Sequence, residues 1–348
     1  FAFFYLTRWF GEIPIITSEN QLKAVEVEQS SVTDIYEYIV TDLTFAETNL
    51  PLTFPEKGRP TKCAAKALLA EVFLTWAGWP VKDESKYALA RDKAKEVMDL
   101  NMYELEPHQA DLWLSANKFT NKEFIFFINA SSGAARTASS INHQGMRPSE
   151  EGGWDDIMTE VRFFEAFPEG PRKDASFWTV FSDGHNTTWQ NSLVKKPFIA
   201  KYRDAGAAAT LTQGAVSSYA GDGFFPIHRY ADVLLIYAEA ANMAEGGPSM
   251  AATDAINLVR RRAAENNQVL YPDLPYGMTK TAFDDAVIAE RAWELAFEAD
   301  RWFDLVRKEM VVSANIDYFP WVKPTHAWLP KPQVEIELCP KLKQNPGY

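Results

Sequence analysis

At 348 residues with 47% hydrophobic side chains, the chain can bury a large core in one big domain or two, which excludes a disordered protein. The formal net charge of −12 argues against nucleic acid or an anionic membrane surface as a partner, because both need a basic footprint. No run of about 18 apolar residues is present, so no helical membrane span is expected.

Residues 1–10 read as the end of a helix, closed by Gly11 and followed by Pro14. They open in mid-helix pattern, with no initiator Met and no basic n-region. A signal peptide is therefore not expected, and the chain reads as N-terminally incomplete. Residues 31–49 predict the next helix, with Ile35, Tyr38, Ile39, Leu43 and Ala46 in one stripe. Pro51 and Pro55 end it. Thr61 to Trp79 is apolar on two faces, so it is expected to lie sandwiched between neighbours. Pro60 and Thr61 suit its start, Gly78 and Pro80 its end. Ser85 is expected to cap a partner helix to about Leu100.

Residues 105–225 differ. They are rich in Gly, Ser, Asn and aromatics, with little helical period. Phe124 to Ile128 predicts a short strand. So long an irregular stretch inside a compact protein points to function. Trp113, Trp154, Trp178 and Trp189 lie in it, outside any helical stripe.

The helical pattern then resumes. Tyr230 to Ala244 is an apolar helix, Gly246-Gly247-Pro248 is a turn, and Ser249 caps a second helix to about Ala264. Glu71 and Glu239 stand 168 positions apart, and so do Gly78 and Gly246. The repeat unit is a helix hairpin of roughly 35 residues, the size of a tetratricopeptide repeat. Thr281 to Lys308 predicts one more long helix, with a core stripe of Ile288, Ala292, Leu295, Ala299, Trp302 and Val306. The expected fold is all-α: tetratricopeptide-like helical hairpins carrying a long loop-rich insertion with minor β. Residues 1–104 and 226–310 form the scaffold, 105–225 the ligand-binding region, and 311–348 an extended C-terminal cap, all in a single domain.

Chemistry is sparse by comparison. Glu290, Glu294 and Glu298 share one helix face at i, i+4, i+8. Such a ladder can ligate metal or work as an acid/base pair on glycosides, but no His stands at Glu-x-x-His spacing. The plainer reading is a row of salt bridges, with Arg291 and Arg301 neutralising the acids. The five histidines are scattered, and His228, just before a helix, reads as a surface or capping residue. No nucleophile elbow or phosphate loop is present. Asp183-Gly184-His185-Asn186 is only half a calcium loop. Cys63 reads as a small buried residue, and a bridge to Cys339 stays open. Neither a metal nor a cofactor is expected.

What remains is aromatic. Trp154 precedes Asp155-Asp156, Trp178 sits in a polar stretch, and Trp189 lies between Thr188 and Gln190. A ring facing solvent beside acids and amides has the parts of a sugar site: a stacking face and polar groups for hydroxyls. Trp154, Trp178, Trp189 and Asp155 are the candidate ligand-binding residues. The competing reading is that these rings plug the insertion onto the scaffold.

Four segments together resemble the SusD/RagB family: Arg229-Tyr230-Ala231-Asp232-Val233-Leu234-Leu235, Ala255 to Arg260, Glu290-Arg291 through Leu305, and Leu329-Pro330 to Tyr348. Gly58-Arg59-Pro60-Thr61-Lys62 is similar too, although the family usually has Gly where Cys63 stands. The resemblance implies a non-catalytic, lipid-anchored protein on the outward face of the outer membrane in Bacteroidetes. It implies a lid on a SusC-like TonB-dependent transporter, to which it delivers an oligosaccharide or polysaccharide. Glycan-site residues vary across the family, so the aromatic candidates rest on composition alone. The alternatives are a structural lid that gates the transporter, or a binder of peptides or other nutrients.

Overall fold

The computed structural model describes residues 1–55, 58–130, 146–203, 223–265 and 267–348. Helix α1 (Ala2–Phe10) stops at Gly11, whose φ of 68° is open to glycine, and whose amide donates to the Thr7 carbonyl. A short antiparallel ribbon, β1 (Ile13–Pro14) with β2 (Gln29–Ser30), leads to α2 (Val32–Asn49). There the Ser31 side chain accepts from the Asp34 amide as an N-cap. Helices α3 (Lys62–Ala77) and α4 (Lys86–Asp99) follow and pack together. All of α3 except Lys62 and Lys66 is buried, as two apolar faces require. Ser85 does not cap α4. Its amide and hydroxyl both donate to Asp83, so the acid two residues earlier organises that turn.

The insertion is more ordered than its composition suggests. Strand β3 (Phe124–Asn129) is joined by short helices α5 (Val161–Ala166) and α6 (Pro171–Ser176), and by β4 (Phe177–Trp178), β5 (Phe198–Ile199) and β6 (Phe224–Arg229). Strands β3 and β6 pair antiparallel from Phe124↔Arg229 to Asn129↔Phe224, and β4 pairs antiparallel with β5. Trp113 is buried under this ribbon with Phe124, Phe127, Tyr202 and Phe224. It is a packing ring.

Strand β6 runs straight into α7 (Tyr230–Glu245), buried from Ala231 to Asn242, and Gly246 ends the helix in the left-handed region at φ 78°. Ser249 caps α8 (Met250–Ala263) through the Ala252 amide. Helix α7 packs on α3, α4, α8 and α9 (Lys280–Glu294), giving one continuous core across both hairpins. The fold is all-α with tetratricopeptide-like hairpins and a few small strands. The two glutamates at matching positions of the hairpins play matching roles: Glu71 is bound by Arg8 of α1, and Glu239 by Arg307 of α10 (Arg301–Arg307). No helix among the described residues is long and apolar enough to cross a membrane.

Three further expectations are corrected. The helix foreseen from Thr281 to Lys308 breaks after Glu294, and Phe297 and Ala299 both adopt φ 69° before α10 starts. The break turns Glu298 inward, where its carboxylate meets Arg229 and Lys201. His228 is 2% exposed, with Nδ1 3.2 Å from Asp232 and Nε2 3.4 Å from Glu71. Cys63 is a small buried residue of α3, as its sequence reads, and it and Cys339, which lies against the Val25 carbonyl, are both free. The C-terminal stretch is not simply extended, since α11 (Val311–Asn315), a turn at Pro324–Ala327 and α12 (Gln333–Leu338) interrupt it. Its end returns to α1, where the Asn345 side-chain amide donates to the Phe10 carbonyl.

The glutamate ladder is an ion-pair cluster, as the plainer reading held, but with other partners. Arg229 is 1% exposed and donates to Glu123, Glu294 and Glu298, each at 2.7 Å. Arg262 of α8 joins Glu123 to Glu294, and Arg172 of α6 joins Glu290 to Glu294. Lys201 holds Glu298. Arg291 instead faces Asp232 and Asp304, and Arg301 donates to the Ile288 carbonyl. These acids are buried and saturated, with no face left for a substrate.

Removing one member of a buried cluster strands the others without partners, at about 3–5 kcal/mol. Glu294→Ala is expected to lose that much in urea unfolding. A loss below about 1 kcal/mol would show that the cluster is dispensable. Acid should act on the same groups. Burial alone pushes Glu294 and Glu239 up, but the facing arginines outweigh it, holding Glu294 well below the usual range and Glu239 at about 2. A depressed carboxyl adds stability above its unfolded value and loses it as pH falls through the folded one. The melting temperature should hold above about pH 5 and fall steadily from about 4.5 toward 2. A flat profile across that window would contradict the assignment.

Candidate functional site

The site is built around a tight turn. At Gly153 an added Cβ would sit 2.1 Å from the Arg147 carbonyl oxygen, so only glycine lets the two strands of the turn touch. The turn sends neighbouring side chains opposite ways: Glu151 is buried, and Trp154 is 53% exposed. Asp155 closes the turn from the other side, accepting from the Ser149 amide at 2.8 Å with its own φ at 56°.

Glu151 then clamps Trp178. One carboxylate oxygen accepts from the Trp178 indole nitrogen at 2.9 Å and from the Ser182 amide at 2.6 Å. The other accepts from the Arg203 guanidinium at 2.6 Å. That guanidinium lies 3.8 Å from the centre of the Trp178 ring. Burial pushes the Arg203 pKa down to about 10, although Glu151 opposes it. The indole is thus fixed by its edge and by the cation against its ring, and the residue stays half-buried.

Beside it opens a cleft of 590 Å³ between α5, α6 and β4. Phe164, Phe177 and Trp178 supply its aromatic lining, and Thr179 and Val180 continue it. Glu165, Glu169, Asp174 and Lys173 are the charged lining residues. Trp189 stands behind the Phe164 ring, edge-on at 5.7 Å, and its amide donates to the Thr179 carbonyl at 2.9 Å.

Of the four candidates, Trp178 lines the cleft and Trp189 backs it through Phe164. Trp154 projects from the turn next to the Glu151 clamp and is not among the lining residues, while Asp155 is engaged in holding that turn. Sequence reasoning missed Phe164, Lys173 and the acids of α5 and α6, because six-residue helices are too short to show a period. Gly170-Pro171 was the available signal, a helix start with Pro at its first position. Asp183 accepts from the His185 and Thr187 amides, and from the Thr187 hydroxyl at 2.5 Å, which makes it a local turn. Among the described residues no group of three or more His, Cys, Asp or Glu could hold a metal. His143 lies outside the described residues.

Comparison with known proteins agrees along the chain. Residues 182–348 match the model of the SusD family, and residues 1–74 match a model described as starch-binding, associating with outer membrane. SusD-like protein P2 of Formosa agariphila is 30% identical over 385 residues, covering 100% of this chain and 72% of the relative. A SusD superfamily protein of Parabacteroides distasonis superposes with a TM-score of 0.80 at 28% identity, over 99% of this chain and 76% of that one. A laminarin-binding SusD-like protein gives a TM-score of 0.80 at 25% identity, over the same shares of the two chains. The 30% identity to a SusD-like protein across the whole of this chain, with family models matching at both ends, places this chain in the SusD family.

Proposed function

We propose that this protein binds oligosaccharide chains at the cell surface without altering them and delivers them to a SusC-like transporter in the outer membrane. The observation that carries the reading is the clamped Trp178 ring beside Phe164 in an open 590 Å³ cleft. Clefts of about 300–1,000 Å³ suit small ligands, and an aromatic face held rigid stacks on the flat apolar side of a sugar at little entropic cost. Trp154, exposed on the adjoining turn, offers a further ring for a longer chain. The laminarin-binding relative supports a glycan as the ligand. The outer-membrane location and the transporter partner are supported by the family and by the description that residues 1–74 match.

Non-catalytic action is supported by where the acids stand. The ladder of Glu290, Glu294 and Glu298 is sealed inside arginine pairs. The acids of the cleft are exposed, whereas a general acid for glycosides needs burial to keep its proton at neutral pH.

Affinity electrophoresis through gels cast with different polysaccharides tests the reading. The native protein should be retarded by at least one of them, and no reducing ends should be released. Trp178→Ala should weaken retardation about tenfold, one stacked ring being worth roughly 1.4 kcal/mol at most. Trp154→Ala, which leaves the Glu151 clamp intact, should weaken it by a smaller factor. Unretarded migration of the native protein in every gel would refute the glycan reading. Full retardation of both variants would move the site elsewhere.

A further inference from the structure

We infer that the cleft selects neutral glycan chains and rejects acidic ones such as polyuronates and sulfated sugars; this rests on the glycan reading of the same cleft. The argument is the charge of its lining. Glu165, Glu169 and Asp174 set three carboxylates against the single ammonium of Lys173, a formal balance of −2 among the described lining residues.

Nor does Lys173 offer its charge to a ligand. It is 6% exposed, its ammonium donates to Glu169 at 2.6 Å, and it sits 4.3 Å from the centre of the Phe164 ring. Glu169 has a side chain 79% exposed, so the pair leaves the carboxylate outermost and the cation beneath. Among the described residues neither Glu165 nor Asp174 makes an ion pair. Arg203, the nearest cation behind Trp178, is spent on Glu151.

A carboxylate or sulfate entering here would lose water and meet like charge within a Debye length of about 8 Å, with no free cation among the described lining residues to receive it. A neutral sugar meets no such penalty, and exposed carboxylates are good acceptors for its hydroxyls. The discrimination therefore works through repulsion as well as fit.

Isothermal titration with chain-length-matched oligosaccharides tests this: a neutral glucan series beside a polyuronate and a sulfated galactan. The native protein should bind a neutral chain at least tenfold more tightly than either acidic one, and 0.5 M salt should narrow that gap. The double variant Glu165→Gln/Asp174→Asn should raise the ratio of acidic to neutral affinity at least threefold. Acidic chains bound as tightly as neutral ones, or a ratio unmoved by the double variant, would overturn the inference while leaving the glycan reading intact. No heat with chains of either kind would end both.

Discussion

Burying Glu294 is the constraint from which the rest of the architecture follows. Its carboxylate lies where no water reaches, and three arginines from three different parts of the chain converge on it. Charges taken out of water are tolerable only when every one is answered. The scaffold supplies Glu290, Glu294 and Glu298 with Arg262, and the insertion supplies Glu123, Arg172 and Lys201. Arg229 stands at the junction, last residue of β6 and one position before α7. The insertion's Glu123, Arg172 and Lys201 all find their partners on the scaffold. The insertion is therefore a layer of the core, although its sequence reads as loop.

That cluster also positions the cleft. Helix α6 is only six residues long, yet Arg172 points into the cluster while its neighbours Lys173 and Asp174 line the open side. A helix this short has no stability of its own. Its buried arginine fixes it, and with it one wall of the cleft. The Glu151 clamp does the same for the Trp178 ring, since Trp178 and Arg203 share one carboxylate. On the proposed reading, the lining of the cleft is thus anchored by charges that face away from the ligand.

Much of the scaffold was legible because its signals are local. Ser249 caps a helix where a cap was read, Thr61 caps the helix whose start it was read to mark, and Gly11 and Gly246 end helices. The break after Glu294 was not legible, because the apolar stripe runs on to Val306 without Gly or Pro. Its cause is tertiary: Glu298 must reach Arg229, 69 positions away. Sequence proximity likewise suggested Arg291 and Arg301 as partners for the ladder, whereas Arg172 comes from 118 positions upstream of Glu290. Long-range charge matching leaves no period to read. His228 shows the same limit, since a polar residue ahead of a helix reads as exposed until Glu71 and Asp232 close around it.

The rings divide for the same reason. Trp113, Trp154, Trp178 and Trp189 look alike in sequence, each an indole in a polar, aperiodic stretch. What separates them is the group holding each one: an aromatic cluster for Trp113, a phenylalanine edge for Trp189, a carboxylate and a guanidinium for Trp178. For a neutral polymer this distinction matters more than it would for a charged one. A chain carrying −12 has no field with which to steer an uncharged sugar, so on the proposed reading the affinity must come from contact area on pre-positioned rings. A tryptophan pinned at its edge and backed by a cation loses little freedom when a sugar lies on it. The buried Glu151–Arg203 pair, which never meets the ligand, is then what makes the open part of the ring effective.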